Sequence, residues 1–162
     1  MVIKTDSLFQ ELAIVDLKQT MNDSDQSTKG PDSDHPPKES LNSDKTILII
    51  DDDSEIRETV SFALRAEGYQ VVGAQDGNQG IALSESESPD LIILDMMMPK
   101  RSGFLVLEHL RRNREEPVPV IMVTGNEGNR HQAYAELLGV GDYIHKPFAM
   151  DRLLQAVHRL IQ

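Results

Sequence analysis

The chain has 162 residues, 27 acidic and 16 basic, for a formal net charge of −11, a size that suits one ordinary domain with a real core. The acidic balance disfavours partners bound through nucleic-acid phosphates, which call for a basic face. The absence of cysteine excludes disulfides and thiolate metal sites.

The opening "MVIKTDSLFQELAIVDLKQT" is interrupted by acidic residues too often for a signal peptide. No stretch approaches the ~18 apolar residues of a membrane span. A cytoplasmic protein is therefore expected, with no membrane or nucleic-acid partner. Within residues 6–20, Leu8, Leu12 and Val15 are spaced as one apolar stripe of a short helix, too short to hold alone in water. A docking motif, a frayed tail, and a segment ahead of a translation start at Met21 all remain open readings. Residues 21–44 carry Met21 and Leu41 as their only large apolar side chains. Such a composition cannot offset chain entropy and predicts a disordered linker. Its ends would lie about 25–30 Å apart as a flexible coil. Residues 1–44 are thus expected to be an extension, and residues 45–162 the folded domain.

From residue 45 two periods alternate. Apolar runs at Ile47–Ile50, Val71–Ala74, Leu91–Leu94 and Val120–Val123, with a shorter one at Tyr143–Ile144, predict five strands. Between and after them the spacing is helical. The first helix takes Ser54 as its cap, Ile56, Val60, Ala63 and Leu64 as its inner face, and Gly68 as its stop. "NQGIALSESES" supplies the second. Phe104, Leu105, Leu107 and Leu110 mark the third, which ends in Arg111, Arg112 and Arg114, where the helix dipole favours cations. "HQAYAELLG" and "MDRLLQAVHRLI" supply the last two, with Asp151 as the final cap. Strands apolar on both faces, alternating with helices, imply an α/β fold: a five-stranded parallel sheet in the flavodoxin-like (βα)5 order 2-1-3-4-5, with helices on both faces.

Function in such sheets gathers at the carboxyl ends of the strands. There the sequence places Asp51, Asp52 and Asp53, then Asp95, Thr124 and Lys146. Each residue type is unremarkable alone, but their convergence at neighbouring strand ends is not. Clustered carboxylates need a counter-charge or their pKa values rise, and Mg²⁺, which prefers oxygen ligands, resolves the conflict. A metal and a lysine side by side suit the charge of a transferring phosphoryl group. Thr124 could donate to a phosphoryl oxygen, and Asp95, on the central strand, is the carboxylate best placed to act as nucleophile. Met96–Met98 are expected to pack around a strand end, and the five histidines lack metal-ligand spacing.

In order and spacing, "ILIIDDDSEIRETV", "PDLIILDMMMPKRSG", "VIMVTG" and "GDYIHKPF" resemble the receiver domain of two-component response regulators, over about Thr46 to Ile161. The resemblance implies that Asp95 is the phosphoacceptor, charged by a histidine kinase or phosphotransfer protein. It implies that Asp52, Asp95 and the Met97 backbone carbonyl ligate Mg²⁺ directly, with Asp51 acting mainly through water. Lys146 would pair with the phosphoryl group across a cis Lys146–Pro147 bond. Thr124 and Tyr143 would be switch residues that remodel the face made by the fourth helix, fifth strand and fifth helix for an effector protein. Met97 and Asn126 stand where the family tunes phosphoryl lifetime, and the apolar Met97 is expected to slow self-dephosphorylation. Asp53, one residue beyond the acidic pair, reads as a capping or solvated carboxylate.

The chain stops at Gln162 without an appended output motif, so a stand-alone receiver is expected, monomeric or weakly dimeric on phosphorylation. It would be a signalling protein rather than an enzyme. A degenerate receiver serving only as an interaction module is one alternative. A haloacid-dehalogenase-type phosphatase is another, since "DDDS" loosely fits that family's first motif, but its further carboxylate pair after the lysine is missing.

Overall fold

Uninterrupted runs of branched apolar residues make strands that must be covered on both faces. The computed structural model describes residues 42–112, 117–125 and 129–161. The runs become β1 (Thr46–Ile50), β2 (Gln70–Ala74), β3 (Leu91–Asp95), β4 (Val120–Thr124) and β5 (Asp142–His145). The stretches between and after them become α1 (Ser54–Ala66), α2 (Gly77–Ser86), α3 (Gly103–Arg112), α4 (Asn129–Leu137) and α5 (Met150–Leu160). All pairings are parallel and the order is β2-β1-β3-β4-β5, as the alternation predicts. The amphipathic stretch in 6–20 and residues 21–41 of the expected linker lie outside the described residues, whereas 42–44 form a turn tied to the domain, with the Asn42 side chain donating to Glu67 O at 2.9 Å and Gln70 donating to Ser43 O at 2.8 Å. No described helix is long and apolar enough to cross a membrane.

The period of two along each strand divides the core. Leu48, Ile50, Ile92, Leu94, Val120 and Met122 face α2, α3 and α4, where they meet Ile81, Val106, Leu107, Leu110 and Ala135. Ile47, Ile49, Leu91, Ile93, Ile121 and Val123 face α1 and α5, against Val60, Leu64, Leu153, Ala156 and Val157. Every residue of β3 and β4 is buried, and each such Ile, Leu or Val contributes about 1.5–3 kcal/mol on leaving water. The edge strands β2 and β5 are more exposed. The rigid part of the sheet is its centre, where Asp95 ends β3.

Several local expectations need correction. Ser54 is the first residue of α1 rather than its cap; the cap is Asp53, in keeping with its reading as a capping carboxylate, and it accepts from the N–H groups of Glu55 and Ile56. This satisfies two of the open donors at a helix start. At α5 the capping position is Ala149, which has no side-chain cap, and Asp151 sits inside the first turn. In α3, Leu105 is exposed and Val106 takes the core position. Gly68 does end α1, at φ 93°, with its N–H bonded to Arg65 O at 3.0 Å. Arg111 is more than a helix-end cation. It donates to the carbonyls of Leu138, Val118 and Gly139 at 2.9–3.0 Å, tying α3 to the segments that flank β4 and β5. Arg114 is outside the described residues.

Gly103 opens α3 directly beneath the β3 end. Its N–H bonds Met96 O at 3.0 Å, and a Cβ there would collide with the Asp95 carbonyl and lie 2.8 Å from Met96 Cα. Both obstacles are backbone and cannot swing aside. Gly103→Ala is therefore expected to lower stability by about 1–3 kcal/mol, read from urea melts; an unchanged midpoint would refute the close packing.

At β5, Asp142 accepts from Arg152 at 2.8 Å and from Arg159, both on α5. Burial alone would raise the Asp142 pKa, but the Arg152, Tyr143 amide and Arg159 hydrogen bonds together hold it below the usual aspartate value. A carboxylate depressed on folding stabilises above its unfolded pKa, and that contribution is lost as the pH falls through the folded one. Asp142→Asn should cost roughly 0.5–1 kcal/mol at pH 7, given the half-exposed arginines. The gap to the parent should close in acid melts below the aspartate range, and a gap independent of pH would contradict the linkage.

Candidate functional site

The strand ends are aligned by register: Ile50 faces Leu94, Asp95 faces Val123 and Thr124 faces His145. One further backbone bond holds the residue after β1, β3 and β5. Asp51 N–H donates to Ala74 O at 3.2 Å, Met96 N–H to Val123 O at 2.9 Å, and Lys146 N–H to Thr124 O at 2.7 Å. The ladder thus delivers Asp51, Asp95, Thr124 and Lys146 to one place, as the strand-end argument expects. Asp51, Asp95 and Thr124 are buried, and Asp52 is exposed beside them. Asp51, Asp52 and Asp95 each offer a carboxylate oxygen within 4.8 Å of the others.

Lys146 Nζ lies 2.8 Å from Asp51 Oδ2 and 3.3 Å from Asp95 Oδ1. Asp95 Oδ1 is buried and its one close partner is Lys146 at 3.3 Å, an ion pair less well aligned than the 2.8 Å bond of Lys146 to Asp51. Burial pushes the Asp95 carboxyl above the usual aspartate range; Lys146 opposes this, the Asp51 charge adds to it, and the Met97 amide, which donates to the carboxylate, opposes it. Burial also works against the Lys146 ammonium, but the charge and hydrogen bond of Asp51, with Asp95 behind them, hold its pKa above the ordinary lysine value.

Three carboxylates face one ammonium, which leaves two negative charges to be met. A hard divalent cation with oxygen ligands matches that deficit, and Asp95 Oδ1, buried with only the Lys146 ion pair against it, has room for one more partner. Asp51 is the most occupied of the three. Its Oδ1 accepts from Asp53 N–H at 2.9 Å and its Oδ2 from Lys146. Asp53 turns its own carboxylate into the α1 cap, apart from the cluster.

Behind the carboxylates the Tyr143 hydroxyl reaches Met96 Sδ at 3.7 Å, and the ring packs edge-on to His145 with centroids 5.2 Å apart. Burial raises the Tyr143 pKa and a hydrogen bond with Thr124 opposes it. Thr124, Tyr143 and Met96 therefore form one contact chain beside Asp95. Met97 is 60% exposed, whereas Met96 and Met98 are buried. The Lys146–Pro147 bond is cis. Asn126 is outside the described residues.

Sequence reasoning missed Arg57. From α1 it donates to the Asp51 carbonyl at 2.7 Å and braces the acidic loop from behind. Its position on the first turn of a helix leaving that loop was visible, but the reach of a long side chain back to backbone has no periodic signature.

A family model described as the response regulator receiver domain matches residues 47–158. The DNA-binding dual master transcriptional regulator RpaA of Synechocystis sp. is 43% identical over 119 residues, covering 72% of this chain and 48% of that protein. The chain thus spans about half the length of the curated relative it matches. Among solved structures, a CheY-like response regulator receiver domain protein from Methanospirillum hungatei JF-1 shares 32% identity at a TM-score of 0.68, over 72% of this chain and 93% of that one. Chemotaxis protein CheY4 of Vibrio cholerae shares 29% at a TM-score of 0.67, over 72% and 98%. The family match begins in β1 and runs into α5, taking in every strand end that contributes a residue to the cluster, and the chain accordingly belongs to the response regulator receiver domain family.

Proposed function

We propose that this chain is a phosphoryl-accepting switch of a two-component pathway, with Asp95 as the acceptor. The observation that carries the reading is the Asp95 carboxylate itself. It is buried at a strand end, one oxygen lacks a hydrogen-bond donor, and it is flanked by two further carboxylates and Lys146. A carboxylate oxygen attacks the phosphorus of a phosphohistidine on a histidine kinase or phosphotransfer protein. The P–N bond breaks, and an acyl phosphate remains on Asp95. Lys146 lies close enough to neutralise charge on the arriving group, and Arg57 keeps the acidic loop in position. Asp52, Asp95 and the Met97 carbonyl would hold Mg²⁺, with Asp51, whose oxygens are already engaged, acting through water. The ion would supply electrostatic stabilisation of the phosphoryl oxygens.

Thr124 and Tyr143 are the residues proposed to relay the change, since they touch each other and Met96 next to Asp95. The readout would be altered binding of an effector protein at the face of α4, β5 and α5. A cytoplasmic protein partner suits the chain's acidity. The expectation of no nucleic-acid partner rests on net charge alone, and the Synechocystis relative is itself named as DNA-binding. Against the phosphatase alternative stand the missing carboxylate pair after Lys146 and the receiver-family match over residues 47–158.

Acetyl phosphate with Mg²⁺ should label the chain, and Asp95→Asn or EDTA should each abolish the label. Labelling that survives Asp95→Asn would sink the assignment, and no labelling with no Mg²⁺ binding would favour the degenerate receiver. Protons and Mg²⁺ compete for the same carboxylates. Because burial raises the Asp95 pKa, calorimetric Mg²⁺ affinity should weaken on acidification before the pH reaches the ordinary aspartate range. Asp95→Asn should weaken Mg²⁺ binding overall and remove that early decline; the same early decline in the variant would place the titrating group elsewhere.

A further inference from the structure

Of the seven methionines in the chain, three stand in a row after the phosphoacceptor strand as Met96, Met97 and Met98. The fold treats them unequally. Met96, Met98 and Met122 are 2%, 7% and 0% exposed, and Met97 is 60% exposed. Met150 is partly buried against the core shared by α1 and α5. Met96 also has its sulfur engaged by the Tyr143 hydroxyl. An oxidant must reach a sulfur lone pair, and among the described methionines Met97 is the most exposed, with Met150 intermediate and the rest buried.

Met97 also stands two residues beyond Asp95, and its backbone amide is among the groups that favour the charged form of that carboxylate. A thioether is apolar and offers water almost nothing, whereas a sulfoxide is a polar acceptor on the same flexible stem.

We propose that Met97 is a reversible oxidation site, and that its sulfoxide shortens the life of the phosphoryl group on Asp95. The proposal rests on the receiver reading above. The oxidant is a hydroperoxide. The Met97 Sδ lone pair attacks the terminal peroxide oxygen, an S–O bond forms as the O–O bond breaks, and the other oxygen leaves as water or alcohol after a proton shift. Sulfur loses two electrons and the peroxide gains them. A thiol-dependent sulfoxide reductase would reverse the step. Once formed, the sulfoxide oxygen accepts a hydrogen bond from water at the rim of the site. That water attacks the phosphorus, the bond to Asp95 breaks, and inorganic phosphate and the carboxylate are released.

The test treats the full chain with hydrogen peroxide, maps sulfoxides by fragment mass spectrometry, and follows decay of acetyl phosphate label in Mg²⁺. Met97 should oxidise before Met96, Met98 and Met122. Decay should then quicken about fivefold, the worth of one ordinary hydrogen bond at the transition state, and return to its starting rate after reductase treatment. Met97→Leu, whatever its starting lifetime, should not respond to peroxide. Three results would each overturn the proposal: quantitative Met97 sulfoxide with unchanged decay, oxidation of buried methionines at the same rate, or an equal peroxide response in Met97→Leu. Absence of label on the untreated chain would instead refute the receiver reading, and the lifetime claim with it.

Discussion

The pairing of Lys146 with Asp51 and Asp95 is the constraint around which the strand ends are arranged. Two buried carboxylates close enough to share one ammonium repel each other, and each loses hydration that the protein must replace. Lys146 replaces part of it for both, and the Asp53 amide replaces more for Asp51. Nothing equivalent reaches Asp95 Oδ1. The burial that raises the Asp95 pKa therefore also leaves one of its oxygens available. A carboxylate satisfied on all sides would be a poor acceptor for an incoming phosphorus.

Such an arrangement survives only on a frame that cannot relax away from it. Asp95 is the last residue of a fully buried strand, and Asp51 and Lys146 directly follow β1 and β5. Asp51 and Lys146 are each held by a ladder bond just beyond their strands, and Asp95 by the bond that its neighbour Met96 makes to Val123 O. Relieving the charge by moving one of them would break sheet hydrogen bonds and open a core packed from both faces. The edges offer less resistance. Among the described residues, Leu105, Tyr134 and Leu137 lie exposed on α3 and α4, and Tyr143 on β5 is only half buried. Asp95 thus sits between a stiff sheet centre on one side and, beyond the contacts of Thr124, Tyr143 and Met96, a softer edge on the other.

The same contrast explains how much could be read from sequence. Strands, their order and the residues at their ends were legible because burial on two faces imposes a continuous apolar run, and a parallel sheet collects the carboxyl ends of its strands. One-residue choices were not. The sequence offered both Asp53 and Ser54 as caps of α1, and only the turn, which brings the aspartate into reach of two amides, decides for Asp53. Val106 rather than Leu105 enters the core because α3 starts at Gly103, which fixes its rotation. Arg57 and Arg111 act through long side chains on distant carbonyls, and no spacing in the chain encodes that reach.

Three consecutive aspartates and three consecutive methionines flank neighbouring strands, and the backbone sorts both in the same way. As each chain leaves the sheet, successive side chains point to different places. Asp51 turns inward to Lys146, Asp52 stays at the surface of the cluster, and Asp53 turns to cap a helix. Met96 turns inward to Tyr143, Met97 stands in solvent, and Met98 returns to the core. Identical residue types therefore acquire different chemistry from position alone. In each triplet the middle residue is the exposed one, and both exposed residues border the Asp95 carboxylate. The solvent-facing rim of the Asp95 cluster is therefore made by Asp52 and Met97, while their neighbours face inward.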